Sequence, residues 1–166
     1  MAAENGVVTI TDEVPCLVDP ARMFRAIFID NHTLIPQIMP HAVNTVDLHS
    51  VDGGVGNVKH VTGVEGASMG DMKLKMDEID MENLTCKYTV SDCNAYGDMV
   101  DFLVSECKFV ASAGDESVIN FQVTNNFYPK GDAKMDEAEI KAGREKAMEI
   151  FDFVHDYLAA NPDVCA

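Results

Sequence analysis

An α+β fold is predicted, an antiparallel sheet followed by one long C-terminal helix, and three observations predict it. From residue 42 to 128 apolar and polar residues alternate with period two, strand after strand. After Lys130-Gly131-Asp132 the period changes to about 3.6. Ahead of the strands, Asp19-Pro20 joins an N-cap acceptor to a first-turn proline, a helix start. The 166 residues are expected to form one domain, 1–166, long enough to bury a sizeable core. Neither a linker nor an internal repeat divides them.

Residues 6–14 alternate weakly and read as an opening strand. Asp19-Pro20 then starts a short helix, Ala21-Arg22-Met23-Phe24-Arg25-Ala26-Ile27-Phe28-Ile29, and a second begins near Asn31 or Thr33 and ends before Pro40. The break at Asp30-Asn31 makes the two a bent pair. Among the strands, Met72, Leu74 and Met76 alternate with Lys73, Lys75 and Asp77, and Leu84, Cys86, Tyr88 and Val90 with Thr85, Lys87, Thr89 and Ser91. Ile119, Phe121 and Val123 alternate likewise with Asn120, Gln122 and Thr124. Each run gives the sheet one apolar and one polar face. Turn residues at Asp80-Met81-Glu82-Asn83, Asn94-Ala95-Tyr96-Gly97 and Ala113-Gly114-Asp115 separate them, as in a consecutive meander. Ile140, Ala147, Ile150, Phe151, Val154 and Leu158 form one apolar stripe on a helix from roughly 134 to 160, about 40 Å long, stopped by Asn161-Pro162. That stripe has one apolar partner available, the concave face of the sheet.

Composition narrows the function. Hydrophobic residues make up 47% and charged ones 24%, the balance of an ordered globular chain. No run of about 18 apolar residues is present to span a membrane as a helix. Met1-Ala2-Ala3-Glu4-Asn5-Gly6 lacks the basic and apolar regions of an export signal, so a cytoplasmic protein is expected. The sequons at Asn31-His32-Thr33 and Asn83-Leu84-Thr85 then carry no glycan. Cysteines 16, 86, 93, 107 and 165 are odd in number and scattered, which predicts free thiols in a reducing compartment. The histidines at 32, 41, 49, 60 and 155 show no metal-ligand spacing, and neither metal nor cofactor is expected. With 28 acids against 12 basic residues, the net charge of −16 repels RNA and anionic membranes at long range.

One motif invites a nucleotide reading. Val51-Asp52-Gly53-Gly54-Val55-Gly56-Asn57-Val58-Lys59 is rich in glycine and ends in a lysine. A phosphate cradle needs a helix N-terminus directly after it. Here Val58-Lys59-His60-Val61-Thr62-Gly63-Val64 follows, a strand pattern, and no Gly-Lys-Ser/Thr occurs. A tight glycine turn between strands is the expected role.

Taken in sequence, Ala21-Arg22-Met23-Phe24-Arg25-Ala26, Gly53-Gly54-Val55-Gly56-Asn57-Val58-Lys59, Met76-Asp77-Glu78-Ile79-Asp80 and Lys130-Gly131-Asp132 carry a resemblance over essentially the whole chain. It resembles the plant class-10 pathogenesis-related proteins, the family of the major birch-pollen allergen. That resemblance implies a seven-stranded curved sheet gripping the long helix, with two short helices between strands 1 and 2. It also implies a cytosolic defence protein whose internal cavity binds or stores amphipathic or hydrophobic molecules of the flavonoid, cytokinin, steroid, phenylpropanoid or fatty-acid kind. By matching positions, Cys86, Tyr88, Val90, Leu103, Ile119, Phe121 and Val123 form the sheet side of the cavity. Ile27 and Met69 close one end, and Ala147 and Ile150 face it from the helix. The glycine loop contributes Gly53, Gly54, Gly56 and Lys59. The expected partner is thus a small molecule, not nucleic acid or membrane, and the chain is expected to act as a monomer or weak dimer. Ten methionines and no tryptophan agree with an adaptable interior.

Two enzyme readings accompany the resemblance. Relatives described as ribonucleases suggest an acid–base set that falls here on Asp101, His155 and Tyr157, of which the tyrosine alone matches. Val51 also stands where the family has the loop's first glycine. Relatives that condense an amine with an aldehyde use a cavity lysine on the last strand, yet no lysine occurs between Glu116 and Pro129. Lys146, on the helix, is the nearest candidate base, although a solvated cation paired with neighbouring acids is its commoner role. Binding therefore ranks ahead of catalysis.

Overall fold

The computed structural model describes residues 3–4, 7–41, 43–48, 58–63, 71–91, 99–115, 117–131 and 136–165. Met69, Gly53, Gly54 and Gly56 lie outside them. The strands are β1 (Ala3–Glu4), β2 (Val7–Cys16), β3 (Val43–Leu48), β4 (Val58–Gly63), β5 (Met72–Asp80), β6 (Thr85–Ser91), β7 (Val100–Ala111) and β8 (Ile119–Pro129). The helices are α1 (Pro20–Phe24), continued by a π-helical turn over Arg25–Ile29, then α2 (Asn31–Ile38) and α3 (Glu137–Ala160). One antiparallel sheet has the order β1-β2-β8-β7-β6-β5-β4-β3. The expected meander from β3 to β8 is observed, and β2 closes onto β8 with Val8 opposite Phe127 and Cys16 opposite Ile119. The eighth strand is the two-residue β1, which folds back on β2 where sequence alternation is too short to read.

Local chemistry sets the helix bounds. Asp19 caps α1 by accepting from the Ala21 amide at 3.0 Å, with Pro20 in the first turn. Asp136 caps α3 in the same way, from Ala138 at 2.9 Å. The end of α3 and the turn after it are held across the fold, because Arg22 donates to the carbonyls of Leu158, Asn161 and Val164. Arg144 ties the middle of α3 to β2 through a bidentate pair with Asp12.

The apolar stripe of α3 is anchored at two places. Phe151, Val154 and Leu158 join the larger core with Met23, Phe24 and Phe121. Ile140 joins a second cluster with Val8, Leu103 and Phe127. Between these anchors the centre of the stripe carries the small residues Gly143 and Ala147, with Met148 and Ile150 at its borders. A space therefore remains where the helix crosses the sheet.

Candidate functional site

That space is a cavity of about 190 Å³ between the concave face of the sheet and α3. Tyr88, Val90, Leu103, Phe121 and Val123 line it from β6, β7 and β8. Gly143, Ala147 and Ile150 line it from α3, and Ile27 with Phe28 from the π-helical turn. Met72, Leu74 and Met76 of β5 complete the far wall. Two residues expected at the cavity stand elsewhere. Cys86 is buried beyond Tyr88, opposite Cys107 on β7. Ile119 opens β8, paired with Ala111 and Cys16 at the sheet's end, past the reach of the hollow. Strand parity was right for Cys86, but parity does not say how far along a strand a cavity extends.

The volume sets what the cavity admits. It exceeds the ~150 Å³ apolar void known to hold benzene, and falls below the ~300–1,000 Å³ of drug-sized ligand sites. A single ring with a short substituent fits the present shape. Larger guests require the lining methionines, Met72, Met76 and Met148, to move, which their unbranched chains allow.

Polar groups meet this apolar lining in two places. At the first, Lys59 is fully buried. It occupies the second position of β4, two residues from inward-facing Val61, so its side chain points inside while His60 faces out. Its Nζ donates to the Phe28 carbonyl at 3.0 Å and to Asn31 Oδ1. The Phe28 carbonyl is available because the helix ends at Ile29 and its last carbonyls have no further turn to serve. Burial lowers the Lys59 pKa to about 8, partly offset by the field of Asp30. The lysine grouped with the glycine loop is thus an interior residue of the strand that follows, and Val61 at the same parity is the signal for it.

At the second place Ser105 and Asn125, cross-strand neighbours on β7 and β8, are buried and hydrogen-bonded to each other. The Tyr88 hydroxyl reaches Ser105 and Cys107, and burial pushes its phenol well above the usual range, so it stays neutral. Neither Ser105 nor Asn125 could be singled out from sequence, since each fits an ordinary strand pattern.

The acid–base set is not brought together. Asp101 is exposed at the start of β7. His155 accepts at Nε2 from the Leu17 amide at 3.0 Å, so its ring docks onto the chain after β2 rather than standing free on the helix surface. Leu17 follows Cys16, which pairs with Ile119 and through it with Ala111 at the far end of β7. Nearly the whole of β7, ~34 Å of strand at ~3.4 Å per residue, runs between Asp101 and the end of the sheet where His155 docks. Tyr157 is half-buried and packs against the larger core. Only the backbone of Lys146 is described, within α3.

The family model described as the Pathogenesis-related protein Bet v 1 family matches residues 5–161. The chain belongs to that family. Among Bet v 1 relatives, the major strawberry allergen Fra a 1.04 of Fragaria ananassa is 39% identical over 158 residues, covering 95% of this chain and 98% of the allergen. Ara h 8.0201, known from a crystal structure, superposes with a TM-score of 0.80 at 29% identity, over 94% of this chain and 100% of that one. Norcoclaurine synthase of Thalictrum flavum, solved with dopamine and hydroxybenzaldehyde, superposes with a TM-score of 0.67 at 16% identity, over 93% and 88% of the two chains. At that identity the likeness concerns the fold alone. The curved sheet around a long C-terminal helix is accordingly the Bet v 1 helix-grip architecture, as the sequence resemblance implied.

Proposed function

We propose that this Bet v 1 family protein is a carrier or store for a small amphipathic molecule, held in the hollow between the sheet and α3. The observation that carries the reading is a mostly apolar cavity of about 190 Å³ with two separate polar places, Lys59–Asn31 and Tyr88–Ser105–Asn125. Such a lining suits a guest with an apolar ring and a hydrogen-bonding group at one or both ends. The size favours the phenylpropanoid end of the ligand range over cytokinins, flavonoids and steroids. The site comprises Ile27, Tyr88, Val90, Leu103, Phe121, Val123, Ala147 and Ile150, together with Lys59. A cytoplasmic setting fits the free thiols of Cys16, Cys86, Cys107 and Cys165, and the protein acts as a monomer or weak dimer in a defence role.

Native mass spectrometry of protein taken from its source tissue tests the reading by seeking a retained small molecule. Gly143→Leu supplies the control, since its side chain enters the hollow from α3. The variant should fold and lose the bound molecule at least ten-fold. Retention of the same molecule by both proteins would remove it from this cavity.

A further inference from the structure

Lys59 is placed for more than holding a guest by hydrogen bonds. We propose that Lys59 captures aldehyde-bearing guests covalently, its Nζ forming a reversible imine inside the hollow. The inference rests on the carrier reading above, because the aldehyde must first enter the cavity.

Four observations carry it. The amine is fully buried, yet it lines the cavity rather than lying in solid core. Its partners, the Phe28 carbonyl and Asn31 Oδ1, are neutral acceptors. Among the described residues no ion pair involves Lys59, and the nearby Asp30 carboxylate is taken by Arg25 at 2.8 Å. A neutral amine has two N–H groups, which match these two acceptors, and its lone pair is left uncommitted. Finally, the walls around it are mostly apolar and offer few groups to hold a water against a product that water would hydrolyse.

Protonation supports the same chemistry. With burial lowering its pKa to about 8, roughly 10% of the amine is neutral at pH 7, whereas an ordinary lysine near ~10.4 is neutral in fewer than ~0.1% of molecules. The step balances without a further reagent. Nitrogen attacks the carbonyl carbon, and one of its protons passes to the oxygen to give the carbinolamine. The nitrogen lone pair then expels that hydroxyl, which leaves with the second nitrogen proton as water. The C=N bond replaces C=O. On protonation the iminium keeps one N–H for the Phe28 carbonyl or Asn31, within the favourable field of Asp30.

Benzaldehyde fits a hollow of about 190 Å³ and lacks the conjugated alkene that would modify thiols. The full-length protein should be treated with benzaldehyde and sodium cyanoborohydride at pH 7.5, with intact-mass measurement and peptide mapping. In parallel, non-covalent binding of benzyl alcohol should be followed by protein NMR. One benzyl group per chain is expected, with Lys59 labelled at least ten-fold faster than any other lysine. Lys59→Arg should lose that fast label. If benzyl alcohol binds in the hollow while label scatters over other lysines, imine capture is overturned and the carrier reading stands. If benzyl alcohol also fails to perturb cavity residues, the carrier reading for guests of this size falls with it. Because the mapping is done on the unaltered protein, misfolding of a variant leaves the test intact.

Discussion

The two halves of α3 face the same sheet with opposite results. Toward the C-terminus, Phe151, Val154 and Leu158 are buried, and the Phe151 ring stacks on Phe121 with centroids 5.0 Å apart. Toward the N-terminus, Gly143 and Ala147 stand off from Leu103 and Val123 across the hollow. Both halves carry the same helical period, so amphipathicity alone does not tell them apart. Side-chain volume does. A fold of this kind gains its stability at the packed end and at the Ile140 anchor, and leaves the span between them unfilled.

The largest expected effect tests that division directly. Phe151→Ala should cost about 3–5 kcal/mol in urea unfolding, the usual range for deleting a buried ring. Ile150→Ala, one residue away but only half-buried, should cost less than ~2 kcal/mol, because part of its surface has no partners to lose. Equal losses at the two positions would mean that Ile150 is as tightly packed as Phe151.

The next concerns the amine at the hollow's edge. Lys59 has a folded pKa of about 8, below its unfolded value of ~10.4, so between those pH values the unfolded chain binds more protons and stability rises with pH. Below pH 8 the burial penalty is present in full, and above about 10.4 it is gone. Relative to Lys59→Met, the native protein should therefore gain on the order of 2–3 kcal/mol between pH 8 and 10.4. Parallel stability curves for the two proteins would show that this amine titrates normally. The smallest effect is at the far end of α3, where Asp136→Ala removes the cap on Ala138 and should cost about 1 kcal/mol without changing binding.

Much of this division is written in the chain. The strand alternation, the Asp19-Pro20 start and the long terminal stripe locate nearly every element, because each rests on a local period or cap. The small residues inside that stripe also mark the hollow, once Ile140 and Phe151 are known to bind separate clusters. What could not be read depends on distance between strands. Lys59 looked like a loop residue because its acceptors come from the turn between α1 and α2, residues 28 and 31. The docking of His155 could not be read either, since nothing local announces that the Leu17 amide will donate to it. Asp101 and His155 are named together only through the family resemblance, which carries residues over by position and not by distance.

The widened turn at Arg25–Ile29 has a consequence of its own. There the Asp30 amide reaches back five residues to Arg25 at 2.8 Å, which absorbs one residue beyond a regular helix. Each residue of an α-helix advances the chain by about 100°. Deleting that surplus residue would tighten the spiral and swing the Phe28 oxygen away from β4, stranding a buried ammonium. One loosened coil thus decides whether the interior tolerates its only inward lysine among the described residues.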